Sequence, residues 1–178
     1  MKDSLEPVVD GVNLLLAELR VLKSQGPHLM IAHRFRKPGM LCAPGEEVVV
    51  TYLVHRGRHY PLRLSLALRM LIDYLAKHSQ LPQSASQIEA GMRADPFYLR
   101  HGDNAFSRNG LKRRISRSAV KEYVKRLREA LALGFREAGL NLDPRQVIVS
   151  EPTVMNEVGY RLKATIEWFH MNDFKESQ

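Results

Sequence analysis

The chain has 178 residues, a length that suits one domain with an accessory segment or two small domains. Its apolar share of 44% allows a sizeable core, and a formal charge of +8 directs the search for partners toward polyanions. Lys and Arg that neutralise phosphates release condensed counterions, which is the physical source of that bias. Cys42, the one cysteine, excludes an intrachain disulfide framework. No apolar run approaches the ~20 residues needed to cross a bilayer. The start Met1-Lys2-Asp3-Ser4-Leu5-Glu6 lacks the basic stretch that opens a signal peptide. The expectation is a soluble, cytoplasmic protein.

Ser4–Lys23 reads as an amphipathic helix, because Leu5, Val8, Val12, Leu15, Leu19 and Leu22 recur at alternating spacings of three and four. Gly26-Pro27 ends it. The stripe suits either a homodimer seam or packing onto its own domain, and the seam is short for an autonomous coiled coil. Leu29, Ile31, His33 and Phe35 then alternate with Met30, Ala32, Arg34 and Arg36, as in a half-buried strand. Lys37-Pro38-Gly39 and Ala43-Pro44-Gly45 are turns. The β-branched run Val48–Val54 leads through a hairpin turn at Arg56-Gly57 into Arg58–Leu62, which completes a small antiparallel sheet.

The period then changes from two to 3.6. Leu68, Leu71, Ile72 and Leu75 predict a helix over Ser65–Lys77, with Ser65 placed as its cap. Ser84 and Gln87 form a capping-box pattern opening a second helix, Ala85–Met92. The polar connector Arg93–Arg114 is long for a compact domain, which usually marks a functional loop. Val120, Tyr123, Val124, Leu127 and Leu131 predict a third helix from near Ser116 to about Ala138, stopped by Gly139. Val147–Val149 and Tyr160–Glu167 read as strands, joined by a hairpin loop at Glu151-Pro152 and Met155-Asn156-Glu157. This divides the chain into a helical segment 1–27, an α+β domain 28–170 and a polar tail 171–178.

Positive charge is concentrated between Arg108 and Arg128, where Arg108, Lys112, Arg113, Arg114, Arg117, Lys121, Lys125, Arg126 and Arg128 face only Glu122. Arg114, Arg117, Lys121, Lys125 and Arg128 share one flank of the third helix. At ~100° per residue that flank lies about a right angle from the apolar face. A solvated surface helix ordinarily mixes signs at i,i+4. Here like charges repel by roughly a few tenths of a kcal/mol per pair, a strain that an anionic partner would relieve. A helix with one side buried and the next lined by cations suits a groove between phosphate rows.

Three fragments extend this reading. Tyr60-Pro61-Leu62-Arg63-Leu64-Ser65, Val120-Lys121-Glu122-Tyr123-Val124-Lys125-Arg126-Leu127-Arg128, and Thr153-Val154 with Gly159-Tyr160-Arg161-Leu162 stand in an order that resembles the OmpR/PhoB-type winged-helix transcription regulators. The resemblance spans about Glu46 to Glu167. It implies a winged helix-turn-helix fold with a β-hairpin wing, and a third helix that enters the major groove of double-stranded DNA. By position it implies DNA contacts from Arg113, Arg114, Arg117, Ser118, Lys121, Glu122, Lys125, Arg126 and Arg128, with Arg161 and Lys163 on the wing. It also implies a contact between the Arg93–Arg114 loop and RNA polymerase. The chain departs from the pattern in extra residues around Pro96–Asn109 and in Met155-Asn156-Glu157, where relatives often place Arg and Gly. The segment before the sheet is too short for a receiver domain.

Other chemistry has little footing. His28, His33, Cys42, His55 and His59 lack the Cys-x-x-Cys pairing of a structural zinc site, so no metal is expected. No phosphate loop, His-Glu-x-x-His motif or nucleophile elbow is present, so neither an enzyme nor a cofactor is expected. Asp95 and Asp103 suit turns better than a nuclease centre. Phe97, Tyr98 and Phe106 suit either stacking on single-stranded bases or anchoring the connector. The function classes left are a transcription regulator, a winged-helix replication initiator or DNA-maintenance factor, and a protein-interaction adaptor.

Overall fold

Leu29 and Ile31 are buried while Met30 between them is only partly so, the alternation of a strand with one covered face. The computed structural model describes residues 27–33, 49–95, 98–99 and 115–170. The expected helix Ser4–Lys23, the two Pro-Gly turns with Cys42, most of the connector with Arg113 and Arg114, and the tail 171–178 lie outside the described residues. The described part is mixed α+β, with helices and two small sheets.

Strands β1 (His28–His33), β2 (Val49–His55) and β3 (Arg58–Pro61) form an antiparallel meander. Leu29, Ile31 and Leu53 are fully buried on one face, as the alternation requires. The β2–β3 turn is closed by Arg56 at φ 51° and Gly57 at φ 73°, the positive-φ pair that a two-residue hairpin favours.

The small N-terminal sheet is larger than expected and not wholly antiparallel. Strand β7 (Thr165–His170) joins it alongside β1 in parallel, giving the order β3-β2-β1-β7. The single strand expected over Tyr160–Glu167 is therefore two, β6 (Val158–Leu162) and β7. The backbone changes sheets at Lys163 and Ala164. Lys163 N–H still donates to Val147 O on the hairpin side at 2.7 Å, whereas Thr165 N–H donates to Pro27 O beside β1 at 3.1 Å.

Helix α1 (Leu66–Lys77) buries Leu68, Leu71, Ile72 and Leu75. Ser65 occupies its cap position but makes no side-chain cap bond, contrary to expectation. The chain there is held from another direction, by Arg69 Nε donating to Leu64 O at 2.9 Å. Buried Asp73 is bound one turn later by Lys77 at 2.7 Å, and Lys77 also stands 5.9 Å over the Trp168 ring of β7. The two-residue strand β4 (Gln83–Ser84) leads into α2 (Ala85–Ala94). Both halves of the capping box form there, Gln87 N–H to Ser84 Oγ and Ser84 N–H to Gln87 Oε1.

Helix α3 (Arg117–Glu137) begins at Ser116, whose Oγ accepts from Ala119 N–H at 3.3 Å. It ends where Gly139 N–H meets Arg136 O and Leu140 N–H meets Phe135 O, a paired closure that satisfies two terminal carbonyls. Val120, Val124, Leu127, Leu131 and Phe135 pack into the core shared with α1 and α2. Asp143-Pro144 opens a one-turn helix. In α4 (Pro144–Val147) Asp143 Oδ1 accepts from Arg145 N–H, and Pro144 takes the first position, where a missing N–H costs nothing. Hairpin β5 (Ile148–Pro152) with β6 follows, and β4 pairs with β6 to complete a sheet of order β4-β6-β5. Gly159 permits that approach, since a β-carbon there would press on Pro82 and Thr153.

The α3 faces lead to a direct expectation. Leu127→Ala should lower unfolding free energy by about 2–5 kcal/mol, since Leu127 is fully buried. Lys121→Ala and Lys125→Ala should stay within about 0.5 kcal/mol. Denaturant unfolding followed by circular dichroism decides it, and equal losses in all three would refute the assignment of faces.

Candidate nucleic-acid interface

The apolar face of α3 fixes where its cations point. With Val120, Tyr123, Val124 and Leu127 buried, Arg117, Ser118, Lys121, Glu122, Lys125 and Arg126 are all exposed. Arg117, Ser118 and Lys121, with the cap residue Ser116, line an open depression of about 490 Å³ at the helix start. The positive end of the helix dipole adds to their charge there. Lys125 borders a second depression of about 280 Å³ together with Asp143 and Arg145.

The expected DNA-contacting residues separate into three states. Lys121 and Lys125 are exposed and make no ion pair among the described residues. Arg126 is paired along the helix with Glu122, Nε to Oε1 at 2.8 Å, and that bond holds the Glu122 pKa below the ordinary carboxylate value. Ser118 Oγ lies 3.1 Å from Ser116 Oγ. Arg117 reaches Glu157 at the hairpin tip, at 3.9 Å.

Arg128 belongs to the third state. It follows Val124 by four residues and so lies only ~40° round the helix from the buried face. Its Nε and Nη2 donate to Ile148 O at 3.0 and 2.6 Å, and Nη2 also donates to Ser150 Oγ at 2.9 Å. The guanidinium stands 6.0 Å from the Tyr160 ring. Partial burial draws its pKa below the ordinary arginine value. Arg128 thus joins α3 to the hairpin, a positioning role that the spacing on the helix did not disclose.

Arg161 and Lys163 are likewise engaged. Glu151 receives Arg161 Nη2 at 2.8 Å and Lys163 Nζ at 2.6 Å. The Lys163 bond, followed by the Arg161 bond, holds the Glu151 pKa below the ordinary carboxylate value. Glu151 and Glu157 were missed as site residues in the sequence. A signal for Glu151 existed: in the hairpin register Val149 faces Arg161 and Glu151 faces Gly159, which puts Glu151 diagonal to Arg161 on one face. Tyr98 is buried, in keeping with anchoring rather than stacking on bases, while Phe97 and Phe106 lie outside the described residues.

Lys121 and Lys125, without an ion pair among the described residues, form with Arg117 an exposed basic row beside the hairpin that Arg128 joins to the same helix. The geometry offers positioning and electrostatics rather than bond chemistry. Compared with protein-family models, with curated proteins and with solved structures, the chain matches none.

Two outcomes test the hairpin linkages. Arg128→Ala should cost about 1–3 kcal/mol, because it leaves the Ile148 carbonyl without its donors. Chemical unfolding measures this, and an unchanged stability would remove the clamp. The lowered Glu151 pKa sets the sign of a pH effect: its contribution is present above the ordinary carboxylate range and is lost as pH falls through the folded value. Protection factors of the hairpin amides, which correct for the intrinsic pH dependence of exchange, should therefore fall on acidification, and Glu151→Gln should remove most of that change.

Proposed function

We propose that the protein is a sequence-specific regulator of transcription that binds double-stranded DNA, with a winged helix-turn-helix fold of the OmpR/PhoB type. It acts in the cytoplasm as a binding protein rather than an enzyme. The order α1, β4, α2, α3, β5, β6, with β4 completing the hairpin sheet, supports the winged-helix reading. The observation that carries the DNA reading is the exposed row Arg117, Lys121 and Lys125 beside the buried face of α3.

In this reading α3 enters the major groove, and Lys121 and Lys125 meet phosphates or base edges. Glu122 and Arg126 stand one turn apart with complementary readout chemistry. An arginine fork donates to guanine, whereas a glutamate accepts from the cytosine amino group. Their mutual ion pair is exposed and of the kind worth little, so exchanging it for base contacts costs little. A homodimer through the N-terminal helix, and an RNA polymerase contact through the Arg93–Arg114 connector, belong to the same proposal.

The test is selection from a genomic DNA-fragment library at about 0.15 M salt, comparing wild type with a Lys121→Ala, Lys125→Ala double variant. Wild type should enrich a short motif that the folded variant does not. For that motif, the slope of log affinity against log salt should fall by about 1.8, the value for two lost phosphate contacts. Salt-sensitive binding without enrichment would reduce the protein to a nonspecific DNA binder. Absence of binding would defeat the proposal and favour a protein-interaction role.

A further inference from the structure

A second basic surface is carried by the sheet rather than by α3. Between Glu47 and Asp73 the chain has four arginines, Arg56, Arg58, Arg63 and Arg69, and no acid. Arg69 is held by its bond to Leu64 O. Arg56 and Arg58 instead stand exposed on either side of Gly57 at the β2–β3 turn, and neither makes an ion pair among the described residues. A β-carbon on Gly57 would meet nothing within 4 Å, so the turn is open on that side. His55 and His59 flank the pair, with the His59 ring edge-on to Tyr52 at 6.2 Å. Arg56 sits at φ 51°, in the left-handed region that two-residue hairpins fill with Asn, Asp or Gly. A long cationic side chain gains nothing from that conformation. Charge is thus placed at the tip against the local preference of the turn, a break of the kind that function explains.

We propose that this tip is a second DNA-binding surface, on which Arg56 and Arg58 grip backbone phosphates of a separate stretch of duplex. It stands on different residues from the DNA reading of α3, and takes from that reading only the choice of duplex among polyanions. Side-chain chemistry argues for it first. Both cations are arginines, whose planar forks match the oxygens of a phosphate two at a time. The character of the surface argues for it second. None of the exposed large apolar side chains among the described residues lies at the tip, whereas a protein partner needs an apolar core to its contact. A phosphate backbone needs none, because its affinity comes from released counterions. Placement argues for it third. The chain leaving β3 meets α3 near its C-terminal end, where Leu62 fills the space beside Gly134. Gly134 lies about 20 Å along the helix from Lys121. The strand that carries Arg58 is therefore rooted at the opposite end of α3 from Arg117, and one chain can hold two duplexes at once.

The experiment immobilises a short duplex carrying the motif enriched by wild type, saturates it with protein, and adds a fluorescent duplex of unrelated sequence at about 0.15 M salt. Wild type should capture the second duplex with the affinity of a nonspecific contact, roughly 10⁻⁶–10⁻⁴ M. Arg56→Asn with Arg58→Thr should keep the motif duplex and lose about tenfold or more in affinity for the second. It should melt no lower than wild type, because Asn suits the left-handed corner. Arg56→Lys with Arg58→Lys, which keeps the charge and loses the forks, should fall between the two. If the Asn and Thr changes together lower the melting temperature, Arg58→Thr alone carries the comparison. A wild type that holds the motif and captures no second duplex overturns the inference and leaves the DNA reading of α3 intact. Equal capture by wild type and the Asn–Thr variant also overturns it, as does capture of poly-glutamate in place of duplex, which points to an acidic protein. If wild type enriches no motif, the α3 reading fails by itself, and direct titration of the unrelated duplex decides. Affinity lost in the Arg56, Arg58 variant and kept in the Lys121, Lys125 variant then supports the hairpin surface, and any other pattern overturns it.

Discussion

The guanidinium of Arg128 turns away from solvent and grips the backbone of β5, and the rest of the basic surface is arranged around that bond. Three donated hydrogen bonds from one side chain set the hairpin against α3 at a point midway along the helix. The hydrophobic face fixes the rotation of α3 about its own axis, because Val120, Val124, Leu127 and Leu131 must all face the core. Arg128 then fixes where the hairpin lies relative to that rotation. It acts together with the β4–β6 pairing and the buried Ile148, Tyr160 and Leu162, which seat the base of the hairpin, while the tip itself meets α3 through the weak, exposed Arg117–Glu157 pair.

Charge in the sequence has a sign but no partner, and this divides what could be read from what could not. The row Arg117, Lys121, Lys125 was legible because helical period alone places it beside the buried stripe. Arg128 obeys the same period, yet it ends as a structural clamp. Closeness to the buried face does not distinguish it, since Arg117 lies nearer to Val124 round the helix; what does is that β5 passes beside Arg128, which the period cannot show. Arg161 and Lys163 illustrate the same limit. Their charge suggested phosphate contacts, but both are ion-paired to the one carboxylate of Glu151 on the neighbouring strand.

The elements followed the sequence closely where one local rule decided them. The capping box at Ser84 and Gln87, the positive-φ turn at Arg56-Gly57 and the helix stop at Gly139 each depend on a few adjacent residues. The failures lie where a distant partner decides. Tyr160 to Glu167 keeps an apolar–polar alternation across Lys163-Ala164, so nothing in its period marks the change of sheet. The break is made by Val147 on one side and Pro27 on the other, separated by 120 positions in the chain. Strand β4 is two residues long and pairs with β6 at Gly159, where a β-carbon would press on Thr153 and crowd Pro82. Such features follow from tertiary placement, so window-based periodicity is blind to them.

Natural chains are locally consistent, and the places that break their own rules tend to carry function. Two such breaks adjoin each other here. One is the exposed pair Lys121 and Lys125 on α3, which makes no ion pair among the described residues although Glu122 and Glu129 stand within a turn of Lys125. The other is an apolar turn where a loop should be polar. Each break is explicable alone, as a basic surface or a stray patch. Their adjacency is harder to explain separately, because the Arg128 clamp and the Arg117–Glu157 pair hold them to one side of the molecule. In the proposed function the phosphates of a DNA duplex would answer Lys121 and Lys125, so the first of these breaks is the one that reading explains, and the apolar turn at Val154 and Met155 is held beside it by contacts that owe nothing to a partner.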